Sequence, residues 1–373
     1  MKPFTIILVG GARPNFMKIA PVVRALDARK RDAAAAGIDL RVLIVHTGQH
    51  YDENMSEVFF RELAIPKPDH HLEVGSGTHA EQTARIMMAF EKVLQKDQPD
   101  WVVVVGDVNS TIACALTAKK MGVKVAHVEA GLRSFDMTMP EEINRKLTDA
   151  ICDLLFVTEE SGVRNLRAEG VASEKIVLVG NVMIDNLMAS LERIDSGEFA
   201  PAESIRSFCD GRRYAVLTLH RPSNVDRRES LEPIWGAISE VARRIPILFP
   251  VHPRTRAKID AFGLNGTGIT MIDPIGHLEM LYAVRGAALV LTDSGGLQEE
   301  TTVLGVPCIT IRENTERPVT VDLGTNYLAG TDPERILAIA KEVLAGQAKR
   351  GVLPALWDGR ASERIAGIIC TTK

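Results

Sequence analysis

Four side chains have the type and setting for acid–base chemistry. Asp107, in Gly106-Asp107-Val108-Asn109-Ser110, follows the apolar run 101–105, and Glu129, in Glu129-Ala130-Gly131-Leu132-Arg133, follows the run 123–128. Glu141 stands in Pro140-Glu141-Glu142-Ile143-Asn144-Arg145, which reads as a helix start. His220, in Thr218-Leu219-His220-Arg221-Pro222-Ser223-Asn224, comes straight after another apolar run. A carboxylate at the end of a buried strand is partly desolvated, which raises its pKa toward the range that proton transfer at neutral pH needs. Glu142 reads instead as a helix-dipole complement or capping-box member. His252, in Val251-His252-Pro253-Arg254-Thr255, also follows a strand and is a candidate for lining a ligand site.

Three other segments suit phosphate. Thr292-Asp293-Ser294-Gly295-Gly296-Leu297-Gln298-Glu299-Glu300 runs from an apolar strand through Ser-Gly-Gly into a helix, whose first free N–H groups can cradle a pyrophosphate. Glu300 lies four residues beyond Gly296, one turn further along the same helix face, where it could accept from both hydroxyls of a ribose. A solvated Glu after a glycine-rich turn is the alternative. Gly10-Gly11-Ala12-Arg13-Pro14-Asn15-Phe16-Met17-Lys18 follows the first strand and puts two cations, Arg13 and Lys18, at a helix opening. It reads either as an oligophosphate site or as a tight turn with surface cations. Arg317, in the loop 312–318, has the fork geometry for bidentate pairing with phosphate. Neither G-x-G-x-x-G nor a Walker A loop is present, so no NAD or ATP fingerprint accompanies these segments.

The elements that must position these residues form a regular series. β-branched or apolar runs at 5–9, 41–45, 101–105, 123–128, 154–157 and 176–179 alternate with amphipathic stretches such as 16–31 and 80–95. A second series follows at 214–218, 246–250, 269–272, 287–291 and 308–311. Continuous apolar strands between helices indicate parallel sheets covered on both faces. The expected fold is α/β, with two doubly wound Rossmann-like domains facing across a cleft, since ligands of such sheets bind outside the strand C-termini. The N-terminal domain is placed at 1–190 and carries the carboxylates. A second Rossmann-like domain, suited to a nucleotide, occupies 191–357, and a C-terminal helix at 358–373 packs back on the N-terminal domain. The polar segment 196–213 has linker composition.

With 373 residues, 46% hydrophobic and 25% charged, the chain is an ordinary folded protein long enough for two domains. Its net charge of −4 provides no global field for nucleic acid or anionic lipid. No apolar stretch approaches the roughly 20 residues of a bilayer span, and residues 4–9 read as a strand rather than a leader. The five cysteines are scattered without C-x-x-C spacing, as expected of reduced, mostly buried thiols in a cytoplasmic protein. His70, His71 and His79 have no metal-ligand spacing and are expected to be solvated; no metal is expected.

Together these motifs resemble one family, the non-hydrolysing UDP-N-acetylglucosamine 2-epimerases. The likeness covers nearly the whole chain: GARP…K at 11–18, TGQH at 47–50, GD at 106–107, HVEAGLRS at 127–134, PEEINR at 140–145, GN…ID at 180–185, HR at 220–221, HP at 252–253, TDSGGLQEE at 292–300 and TERP at 315–318. The resemblance implies a GT-B fold, a homodimer, no cofactor and a UDP-sugar as ligand. It assigns Asp107, Glu129, Glu141 and His220 to catalysis. Arg13, Lys18, Arg133, His252, Ser294, Gly295, Gly296, Glu300 and Arg317 are assigned to substrate binding. Three departures stand out. GARP replaces the usual GTRP, and His220-Arg221-Pro222-Ser223-Asn224 lacks the carboxylate of H-R-x-E-N. Residues 74–79 offer no arginine for the allosteric substrate site that some members carry.

The chemistry agrees with this family. The C2 hydrogen of a hexosamine has no adjacent carbonyl and is not acidic in the ground state. Without an oxidant, the remaining route is to expel UDP from C1, so that developing positive charge there acidifies C2–H. Arg13, Arg317 and the helix tip at 294–296 would stabilise the departing diphosphate. Removal of the proton gives a 2-acetamidoglucal, and re-addition of UDP with protonation from the other face gives the epimer. Asp107, Glu129 and Glu141 would share the proton transfers, with His220 at the phosphate or leaving oxygen. The rivals are epimerisation of a related sugar such as a UDP-2,3-diacetamido uronic acid, a hydrolysing epimerase, a GT-B glycosyltransferase and an inactive UDP-sugar sensor.

Overall fold

The computed structural model describes residues 3–35, 37–48 and 65–372; the side chains of Arg13 and Pro14 lie outside the described set. The chain forms two compact units, Met1–Asn186 with Ala355–Lys373, and Leu187–Pro354.

The first unit is built on seven strands: β1 (Phe4–Gly10), β2 (Leu40–His46), β3 (His70–His71), β4 (Trp101–Val105), β5 (Lys124–Ala130), β6 (Leu154–Val157) and β7 (Ile176–Leu178). They pair in parallel in the order β3-β2-β1-β4-β5-β6-β7. Successive residues of each strand point to opposite faces, and both faces are apolar. Ile6, Leu8, Val103 and Val105 pack on one side with Phe16, Ile19 and Val23 of helix Arg13–Ala35 and with Ile365 and Ile369 of helix Ala361–Thr371. Ile7, Val9, Val102 and Val104 pack on the other with Ile86, Phe90 and Val93 of helix His79–Asp97. Burial on both faces makes these strands continuous apolar runs. The C-terminal helix is thus part of the first unit's core.

The second unit repeats the plan with six parallel strands, β8 (Ala215–Thr218), β9 (Ile247–Pro250), β10 (Ile269–Ile272), β11 (Leu289–Thr292), β12 (Cys308–Thr310) and β13 (Asn326–Leu328), in the order β10-β9-β8-β11-β12-β13. Leu217, Phe249, Leu291 and Ile309 face Leu231, Ile238, Ile336 and Val343, while Val216, Leu248 and Val290 face Val284 and Leu297.

In each sheet the chain winds outward in one direction and then resumes on the other side of its first strand. That leaves a topological switch point between β1 and β4, and another between β8 and β11. Loops diverge there at the strand C-termini, the usual place for a ligand. No helix among the described residues is long and apolar enough to cross a membrane.

Candidate active site

At the first switch point, the turn after β1 and the turn after β4 are tied together. Asn15 is buried; its Oδ1 accepts from the Ala12 backbone N–H at 3.0 Å, and its Nδ2 donates to the Val105 carbonyl at 3.2 Å. Gly106 has φ +64°, and a Cβ there would stand 2.9 Å from Lys18 Nζ. Only glycine accommodates both the backbone and the lysine. Lys18 in turn forms a buried ion pair with Glu129. Glu129 has φ +73°, a conformation costly for any residue with a Cβ, at a register shift between Val128 and Ala130 of β5. Bulges of this kind re-aim a side chain, and backbone strain of this kind gathers at functional sites.

Asp107 is held from the helix Pro140–Ile151. Arg145 Nη2 donates to its Oδ2 at 2.5 Å, and Asn144 Nδ2 to its backbone carbonyl at 2.9 Å. Asp107 and Glu129 therefore each face a cation, which offsets the cost of burying their charge. Glu141 opens the same helix, partly exposed, and no hydrogen bond or ion pair to its carboxylate is found among the described residues. Glu142 does not cap its own helix. It reaches back to accept from the Ser134 N–H at 2.9 Å and the Phe135 N–H at 3.2 Å, and from Arg145 at 3.0 Å. Burial opposes its ionisation, but these donors outweigh it and hold its pKa below the ordinary value.

Arg133 is not placed where a substrate could reach it. Its guanidinium is fully buried, with Nη2 2.7 Å from Asp149 and two hydrogen bonds to Glu169 at 2.9 and 2.6 Å. Asp149 also meets His127 Nδ1 at 2.6 Å and accepts from the Gly131 N–H at 3.0 Å, while His127 Nε2 donates to the Gly106 carbonyl at 2.8 Å. One buried network thus braces the ends of both β4 and β5. The side chain of Arg13 lies outside the described residues, as do Gln49 and His50 of the TGQH segment. The histidines expected to be solvated differ from one another: His71 and His79 are exposed, whereas His70 pairs with Asp97 at 2.7 Å. No group of three metal-binding side chains occurs among the described residues. All five cysteines are free thiols, three of them buried.

The second switch point gathers the phosphate-type motifs. Helix Gly295–Leu304 begins after β11 with Ser294 at its N-cap, yet the Ser294 side chain makes no capping bond. The helix tip therefore keeps its partial positive charge unmatched by any side-chain cap. A Cβ on Gly296 would meet nothing within 4 Å, so the space above the tip is open. On Gly295 a Cβ would lie 3.2 Å from Arg317 Nη1 and 4.0 Å from Arg312 Nη1. Arg317 is steadied by Glu299 at 2.6 Å and Arg312 by Glu316 at 2.9 Å. Arg221 Nε donates to the Asp293 carbonyl at 3.2 Å, which brings a third guanidinium to the turn before this helix, where burial and the charges of Arg312 and Arg317 lower its pKa. Burial drives Glu316 toward the neutral form, but Arg312 dominates and holds it at about 2.

Glu300 lies one turn in, buried, with His277 Nδ1 4.0 Å away. Burial, helped by the charge of Glu299, pushes its pKa up to about 8. His220 follows β8 and is half-exposed, with Nδ1 2.9 Å from Asp293. His252 is exposed at the end of β9, where its Nδ1 accepts from the Arg254 backbone N–H at 3.2 Å and caps the following helix.

Residue reading missed the partners. Arg145, Asp149, Arg221, Arg312 and Asp293 carry much of the geometry, and of these Asp293 bore a usable signal, a polar residue directly after a buried strand.

Comparison with known proteins agrees with this arrangement. The family model described as UDP-N-acetylglucosamine 2-epimerase matches residues 33–370. The chain is 42% identical to the UDP-N-acetylglucosamine 2-epimerase of Methanococcus maripaludis, over 98% of each chain. It is also 42% identical to the UDP-2,3-diacetamido-2,3-dideoxy-D-glucuronate 2-epimerase of Pseudomonas aeruginosa, again over 98% of each. The crystal structure of Methanocaldococcus jannaschii UDP-GlcNAc 2-epimerase in complex with UDP-GlcNAc and UDP is similar with a TM-score of 0.82 and 43% identity, covering 98% of this chain and 99% of that one. Such neighbours have the GT-B architecture, and the two doubly wound units give this chain the same fold class. A family match across most of the chain, with identity above 40% over full length, is decisive: the chain belongs to the UDP-N-acetylglucosamine 2-epimerase family.

Proposed function

We propose that this protein interconverts UDP-N-acetylglucosamine and UDP-N-acetylmannosamine by eliminating UDP to a 2-acetamidoglucal and adding it back. The observation that carries this reading is the uncapped tip of helix Gly295–Leu304, with Arg312 and Arg317 beside Gly295 and Arg221 bonded to the Asp293 carbonyl just before it. Fixed donors and cations at a departing diphosphate lower the barrier to breaking the C1–O bond. As that bond breaks, its electron pair stays with the phosphate oxygen. The C2–H pair becomes the C1–C2 double bond, and a carboxylate takes the proton. Asp107, Glu129 and Glu141 are suited to the transfers at C2, and Glu300 to the ribose hydroxyls. Ser294, Gly295, Gly296 and Arg317 suit the diphosphate, with Lys18 and Arg13 as further cations.

The test is incubation with UDP-N-acetylglucosamine in D₂O followed by NMR. Deuterium at C2 with UDP still attached supports the proposal. Release of free sugar identifies a hydrolase, and binding without exchange points to a transferase or sensor. Asp107→Asn should cut the exchange by orders of magnitude while UDP still binds.

The 42% identity to the diacetamido-glucuronate epimerase supports a second substrate, a UDP-2,3-diacetamido uronic acid. The same exchange assay run with both sugars separates the two by kcat/KM. We further infer that the enzyme works in the cytoplasm, in keeping with its five free cysteines, and that it is a homodimer.

A further inference from the structure

Asp293 is completely buried after β11 at the second switch point, and the hydrogen-bond partners of its carboxylate come from residues 220–224, after β8. Its carboxylate accepts from the His220 N–H at 3.0 Å, the Arg221 N–H at 2.8 Å and Asn224 Nδ2 at 3.2 Å, and lies 2.9 Å from His220 Nδ1. Arg221 Nε donates to its backbone carbonyl at 3.2 Å, and Asn224 Nδ2 also reaches the Ile311 carbonyl at 3.1 Å. Burial opposes ionisation, but the His220 ring and these amides outweigh it and hold Asp293 below the usual carboxylate pKa. An ionised carboxylate offers only acceptors, so the ring nitrogen facing it must carry a hydrogen. The nitrogen left to act is Nε2, on a side chain about half exposed that stands against Asp293, two residues before the start of helix Gly295–Leu304.

We infer that Asp293 is a positioning residue that fixes the tautomer and direction of His220, so that His220 serves the departing diphosphate through Nε2. A doubly protonated ring gives its Nε2 proton to the β-phosphate oxygen as that oxygen takes the C1–O electron pair. The ring is left neutral, with its hydrogen still on Nδ1 and donated to the Asp293 carboxylate. Re-addition returns the proton from the phosphate to Nε2. The same logic orients histidine in acyl-transfer triads, where changing the buried acid to its amide turns the ring to the wrong tautomer. The inference rests on the epimerase reading, but its first test does not use activity.

That test is NMR of ¹⁵N-histidine-labelled enzyme, with the His220 signals assigned by their loss in His220→Gln. The neutral ring should carry its hydrogen on Nδ1, and should move it to Nε2 in Asp293→Asn. The amide keeps an oxygen for the Arg221 and His220 N–H groups but sets an NH₂ against the ring. In kinetics, Asp293→Asn should lower kcat about 100-fold, the lower range for losing a positioned acid–base group, with KM changed less than about threefold. Made in a His220→Gln background, it should cost no further activity. A wild-type ring with its hydrogen on Nε2 overturns the assignment, and so do losses that multiply in the double variant. The wild-type spectrum decides even if Asp293→Asn does not fold. Absence of C2 exchange in the wild type would instead fault the epimerase reading and leave the tautomer result standing.

Discussion

Glu300 shows how much one buried carboxylate can govern. With a pKa pushed up to about 8 by burial and by Glu299, it holds a proton in the free protein at neutral pH. In the proposed ribose role two hydroxyls donate to Glu300, which favours its ionised form, so binding should expel that proton. The sign follows: affinity for UDP-N-acetylglucosamine should rise with pH through 7 and level off above about 8. Diester phosphates do not titrate in this window, so the slope belongs to the protein. Calorimetry at pH 6.5 and 8.5, in buffers of different ionisation enthalpy, should show proton release that vanishes in Glu300→Gln, which should bind weakly at both values. Affinity that is flat or falls with pH would remove Glu300 from the ribose. The pairings at this scale were the least legible in the sequence. Lys18 meets Glu129 and His220 meets Asp293 across long stretches of chain, and nothing local to either member marks its partner. Position was easier: polar residues directly after apolar strands do collect at the switch points, because parallel winding puts all strand C-termini at one edge. That rule misleads only where such a residue turns inward, as Arg133 does toward Asp149.

At the level of elements, long apolar strands declared themselves. The runs 101–105 and 154–157 coincide with β4 and β6. The short edge strands did not: His70–His71 and Asn326–Leu328 have too few apolar residues to stand out, and they pair through backbone bonds that any sequence can make. Nor could the sequence reveal that the ends of β4 and β5 are braced from beneath. Asp149 serves three groups there, His127, Arg133 and the Gly131 N–H. Asp149→Ala would strand two buried cation-capable side chains, and removing one partner from such a network costs about 3–5 kcal/mol. Chemical denaturation should report a loss of that order. A loss below about 1 kcal/mol would mean that the network is not structural. Gly106→Ala probes the same turn more gently. Its φ of +64° makes any Cβ cost about 1–2 kcal/mol, while the new methyl pushes Lys18 Nζ off Glu129. C2 exchange should fall at least tenfold while the fold persists by circular dichroism. Wild-type exchange in that variant would show that the Lys18–Glu129 pair is dispensable.

For the molecule as a whole, the exposed apolar surface of the first unit bears on assembly. The first unit leaves Phe135, Met137, Ile143 and Leu147 exposed; Ile143 and Leu147 sit one turn apart on the helix Pro140–Ile151, and Phe135 and Met137 lie in the loop leading into it. Large apolar side chains exposed together mark an association surface more often than an ordinary solvated face. This helix also supplies Arg145 to Asp107, so covering its outer side would steady the candidate catalytic groups on its inner side. A second copy of the chain is the occupant that the family resemblance implies, and a twofold interface would bring the same helix from each copy into contact. Light scattering should give twice the chain mass. The pair Ile143→Glu and Leu147→Glu should yield a folded monomer, because neither side chain belongs to the buried core and the like-charge pair four residues apart costs only about 0.2–0.5 kcal/mol within one copy. C2 exchange in that monomer should drop as the helix loses its support, whereas UDP binding, proposed to draw on the second unit, should persist. A wild-type protein that scatters as a monomer at high concentration would refute the dimer and assign this apolar face to another partner.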